Sequence, residues 1–228
     1  MLTLTINTVS SHAQDPVNQL DENGKRHGLW KKSFHNTNQL RYSGQFFHGK
    51  EVDTFKFYTL KNGKSVLSGI KVFNKDNDIA SVTFLSSKGK VISEGKMNGK
   101  LYFGKWVFYH NKSDSIMSVE HYNDQGQLHG EKTVYYENGQ IAEISNYTNG
   151  KLEGESIWYS DKGVVLKRFL YENDELHGVS KYYDAEGVLL AEGKYQKGRK
   201  HGIWTYYEDG KLKETKDHTR RSKNPKKQ

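Results

Sequence analysis

Four histidines occupy one repeated position: His27, His129, His177 and His201 stand directly before Gly28, Gly130, Gly178 and Gly202. A column of imidazoles suggests metal binding, but the ligands of one ion must all lie about 2 Å from it. Equivalent positions of adjacent two-strand repeats lie about 9–10 Å apart. The column is therefore read as capping or packing each turn, and no metal or cofactor is expected. Glu94, Glu143 and Glu192 recur near the middle of their segments. A glycosidase needs two carboxylates flanking one bond, one of them held protonated. Here each acid sits on a regular surface beside Lys or Tyr, which predicts solvated strand charges. The chain contains no G-x-S-x-G, P-loop or G-x-G-x-x-G. With no cysteine, thiol catalysis, disulfides and Cys-type zinc sites are excluded. The expectation is a protein that is not an enzyme.

The aromatic residues carry more information. Trp106, Phe108, Trp158, Tyr182, Trp204 and Tyr206 fall at matching places and are expected to line one sheet face. They can form a thin core by covering one another, or stay open as a partner-binding face. Trp and Tyr are favoured at protein interfaces because they offer large contact area with few rotors. Such rows also suit sugar rings or the headgroup layer of a membrane.

The elements that must position these residues follow from a repeat. Register markers fall at Gly28, Asp53, Ala80, Gly104, Gly130, Gly154, Gly178 and Gly202, a period of about 24 residues. Bulky residues occupy the second and fourth places after the marker in two repeats, as Trp106 and Phe108 and as Trp204 and Tyr206, and Trp158 and Tyr182 fill the fourth place in their repeats. Tyr135 and Tyr136 sit one place late, which predicts a bulge or an altered turn in that repeat. A turn follows, as at Asn62-Gly63, Asn138-Gly139 or Asp209-Gly210. Gly after Asn or Asp supplies the positive φ of tight hairpin turns. A second strand then alternates with period two, as in Leu189, Ala191, Gly193 and Tyr195. A second turn closes the unit, at Gly49, Asp76, Gly99, Gly126, Gly150, Asp174 and Gly198. The fold class expected is all-β: an elongated antiparallel meander of about eight stacked hairpins, on the order of 75 Å long.

His177 to Gly202 shows the unit best. The pattern HG-x-W-x-x-Y-Y-x-x-G-x-L-x-x-E-G-x-Y-x-x-G-x-x-H-G is matched by Gly178, Tyr182, Tyr183, Gly187, Leu189, Glu192, Gly193, Tyr195, Gly198, His201 and Gly202. It resembles the MORN-repeat variant, and in bacteria such proteins are grouped as YwqK-like antitoxins. The resemblance implies a hairpin-repeat scaffold over 28–212 with no catalytic residues. It also implies another protein as partner, a toxin in the antitoxin case. Asp53 and Ala80 replace Gly in the pattern, so repeats two and three are expected to be the divergent ones.

Composition and charge complete the sequence-based expectations. Among 228 residues, 34% are hydrophobic and 13% aromatic, with 22 Gly and 2 Pro; the mean hydropathy is -0.90. Aromatics with few aliphatics suit a thin β structure. The net charge is +8, and six Lys or Arg against Asp217 place most of that excess in 216–228. The body is nearly balanced, which argues against nucleic acid as the main ligand. Residues 213–228 are expected to be a basic disordered tail and 15–27 a lead-in. Residues 1–14 end in Ser11-His12-Ala13, which resembles the end of a cleavable signal. Export to the periplasm or cell envelope is thereby favoured over the cytoplasm. The leading function is a non-enzymatic protein-binding scaffold; the alternative is an exported envelope module that binds cell-wall glycan or anionic lipid.

Overall fold

The structure is a computed structural model that describes residues 16–74 and 77–219. Nineteen strands and no helix occur among the described residues. The chain divides into two compact units, at Asn77 and Asp78. Unit 1 holds β1 (Gln19–Leu20), β2 (Arg26–Ser33), β3 (Leu40–Phe47), β4 (Lys50–Lys61) and β5 (Lys64–Phe73). Unit 2 begins with β6 (Ile79–Leu85), β7 (Val91–Asn98), β8 (Leu101–Tyr109), β9 (Ile116–Tyr122), β10 (Gly130–Tyr135), β11 (Ile141–Thr148) and β12 (Lys151–Leu152). It continues with β13 (Gly154–Tyr159), β14 (Val165–Glu172), β15 (Glu175–Leu176), β16 (Gly178–Tyr183), β17 (Leu189–Gln196), β18 (Arg199–Glu208) and β19 (Lys211–Asp217). Within each unit successive strands pair antiparallel, as the hairpin meander requires.

The boundaries differ from those expected in three respects. Residues 28–212 were expected as one domain, whereas contacts separate the chain at residue 77. The lead-in contributes β1, which pairs with β2. Residues 213–217 are not tail: they lie in β19, where Lys216 pairs with Trp204 and Glu214 with Tyr206. Strand pairing overrides local charge here, because β18 has a ladder of backbone groups to satisfy. The signal-like segment 1–14, the turn at Asp76 and the tail beyond 219 lie outside the described residues.

Bulges set the repeat. The irregularity expected at Tyr135 is present, but it is not special to that repeat. All eight hairpins shift register at the same place, as between Phe108 and Tyr109 or Tyr182 and Tyr183. The marker residues form a second set. Gly104 and Gly202 adopt φ of 62° and 65°, next to register shifts on the strand they pair with. Left-handed backbone is cheap for Gly and tolerable for Asp. Asp53 accordingly keeps φ at 56°, so that replacement preserves the bulge.

The core is one side chain deep. Phe55, Trp106 and Trp204 are fully buried, and each lies across a glycine of the preceding strand. A Cβ on Gly44 would meet the Phe55 ring at 2.4 Å, on Gly95 the Trp106 ring at 2.5 Å, and on Gly193 the Trp204 ring at 2.4 Å. Where the receiving residue is larger, the incoming one is smaller: Ser156 follows Ser145, and Ser180 follows Phe169. Glu120 receives Lys132 and forms an ion pair at 3.2 Å.

Candidate functional site

Side chains alternate across a strand, and the ladders carry this alternation through unit 2. Phe108 pairs with Ser118, Trp158 with Lys167, Tyr182 with Ala191 and Tyr206 with Glu214. These four rings share one face with Trp106 and Trp204. Their exposure divides them. Trp106 and Trp204 are 0% exposed, and their indole N–H groups donate to the carbonyls of Lys96 (2.7 Å) and Lys194 (3.0 Å). Full burial removes these two from the candidate contact face and makes them its support. Phe108, Trp158, Tyr182 and Tyr206 are part-buried. Trp158, Phe169, Tyr182 and Trp204 follow one another at centroid distances of 5.1, 5.1 and 6.2 Å. Tyr182 and Tyr195 share a hydroxyl hydrogen bond of 2.9 Å. Burial, then this bond, push the Tyr182 phenol pKa well up, so its hydroxyl stays protonated.

The opposite face holds residues that the aromatic pattern does not reveal. Leu170, Val179 and Ile203 are exposed there, Ile203 by 67%. Ion pairs border them: Arg168 with Glu155 at 3.1 Å and Lys181 with Glu192 at 3.2 Å. The signal in the sequence was present, since each stands one place from a core-facing residue, but strand register alone does not say which face is covered.

The acids occupy different faces. Glu94 accepts from the Tyr109 hydroxyl at 2.6 Å, and Glu192 from the Tyr207 hydroxyl at 2.9 Å, both on the face opposite the rings. Glu143 pairs with Trp158 on the aromatic face. Hydrogen bonds from Tyr207 and Lys181 hold the Glu192 carboxyl below its ordinary pKa, the reverse of what a general acid requires.

The histidine column is dispersed as its spacing requires. His177 Nδ1 lies 3.2 Å from Glu172, and His129 Nδ1 accepts the Asn149 backbone N–H at 3.4 Å. Unit 1 differs. Asp21, His27 and His48 bring one ligand atom each within 4.8 Å of one another. Asp21 belongs to the turn before β2, His27 to the start of β2, and His48 to the tight turn between β3 and β4, with φ at 48°. Sequence reasoning missed this cluster because its members come from three different register positions.

Comparison with known families places the repeat. The MORN repeat variant matches residues 128–149, 176–197 and 200–218. These three segments hold the β10–β11, β16–β17 and β18–β19 hairpins. MORN repeats are non-catalytic scaffold modules that generally bind proteins or membranes. A comparison with curated proteins found no match.

Proposed function

We propose that this chain is a non-enzymatic scaffold that docks another protein on the aromatic face of unit 2. The carrying observation is the set of part-exposed rings on one face: Phe108 beside the buried Trp106, Tyr182 and Tyr206 beside the buried Trp204, and Trp158 joined to Tyr182 through Phe169. Rigid rings lose little rotamer entropy on contact, and truncating such anchors costs about 2 kcal/mol or more. Co-purification from the native host should recover a stable protein partner. Trp158→Ala with Tyr206→Ala should weaken its binding more than tenfold. Recovery of no partner would sink the proposal.

The exposed Leu170, Val179 and Ile203 support a variant in which the partner sits on the opposite face. Loss of binding confined to Val179→Ser and Ile203→Ser would assign it there. In the antitoxin-like form, the partner is a toxin encoded nearby, and a neighbouring gene that is toxic alone and silenced by this chain is the expected result. The envelope alternative places sugar rings or anionic lipid on the same strip; cell-wall and liposome pull-downs, with and without 220–228, test it. Binding in neither form removes that alternative.

A further inference from the structure

We propose that Asp21, His27 and His48 form a binding site for a divalent transition-metal ion, with zinc the best chemical fit. Two imidazoles and one carboxylate are a common ligand set for zinc, and three protein ligands leave a fourth position open. The carboxylate is built for the role. Asp21 Oδ1 accepts the backbone N–H groups of Asn23 (2.9 Å) and Lys25 (2.8 Å). That fixes the group and leaves Oδ2 as the single ligand atom. The Asp21 side chain is 6% exposed, whereas His48 is 48% exposed, so an ion has an entry path on the His48 side. Outer-shell bonds of this kind orient a metal ligand.

His27 supplies the independent observation. Its Nδ1 is shut off from solvent and has no hydrogen-bond partner among the described residues. Leaving a buried polar atom unpaired is costly. A bond between Asp21 and His48 alone does nothing for that nitrogen, although the His27 and His48 rings lie 4.9 Å apart. An ion that His27 ligates through Nδ1 would satisfy it.

Ion binding must rearrange the three ligand atoms. His48 Nδ1–H donates to Asp21 Oδ2 at 2.6 Å. Ligand atoms on a tetrahedral ion, each bonded at about 2.0–2.2 Å, stand about 3.3–3.6 Å apart. The shortest separation must open and the longest must close, and the proton between Asp21 and His48 passes to solvent as the ion enters.

The test uses the full chain without an affinity tag, treated with chelator and titrated with Zn²⁺ against a chromophoric competitor. One equivalent should bind tightly, and Zn²⁺ should raise the melting temperature. Asp21→Asn, His27→Ala and His48→Ala should each weaken binding at least tenfold, while His177→Ala leaves it unchanged. X-ray absorption of the wild-type zinc complex should show two imidazoles and a carboxylate, a readout that does not depend on any variant folding. Absence of binding by the wild-type chain, another ligand set, or undiminished affinity in a folded His27→Ala chain would overturn the proposal.

Discussion

Gly193 shows how one residue governs a repeat. The Trp204 ring occupies the space where a side chain would start. Gly193→Ala forces the indole or the strand to move, and overpacking of this kind costs about 1–3 kcal/mol; urea unfolding should show the loss. Ser180 presents the opposite case. Its hydroxyl is fully buried with no hydrogen-bond partner among the described residues. Removing an unsatisfied hydroxyl relieves a penalty of about 1–3 kcal/mol, offset in part by the small void left. Ser180→Ala should therefore be neutral or stabilising in the same assay. Tyr109 carries a pH prediction. Its hydrogen bond to Glu94, then burial, push the phenol from 10.0 up to about 12. The folded state holds that proton more tightly than the unfolded state. The contribution is complete below pH 10 and is lost as pH rises through about 12. Tyr109→Phe should flatten this part of an alkaline stability profile.

At the scale of elements, β19 is the clearest surprise. Its seven residues are all exposed and mostly charged, so neither hydropathy nor alternation marks them as strand. Their place is dictated by β18, whose backbone they pair, and by Trp204, which lies opposite Lys216 and beside the His218 ring at 6.4 Å. Truncation after Gly210 should lower the melting temperature by several degrees and increase Trp204 fluorescence quenching by iodide. The hairpins were legible because alternation and turn glycines report local geometry. The bulges were legible only in part. Tyr135 signalled one, yet the same shift occurs in all eight hairpins, because an extra residue opposite the marker-proximal strand leaves no change in composition. The candidate aromatic face was legible as a set of six residues, but not as two buried rings and four part-exposed ones.

For the whole molecule, a one-layer repeat makes stability a sum of local and neighbour terms. Gly193→Ala should raise amide exchange across β16–β19 and leave β2–β5 of unit 1 unchanged. Equal acceleration in both units would show that the chain unfolds as one cooperative body. Period, turn chemistry and the identity of the ring-bearing positions were determined by the sequence alone, since they depend on neighbours within one hairpin. Three things were decided by tertiary structure: which indoles are buried, that residues 213–217 extend the sheet, and that Asp21, His27 and His48 converge. Each depends on what an adjacent strand or turn places alongside. Spacing along the chain does not encode that when bulges and turns reset the register between elements.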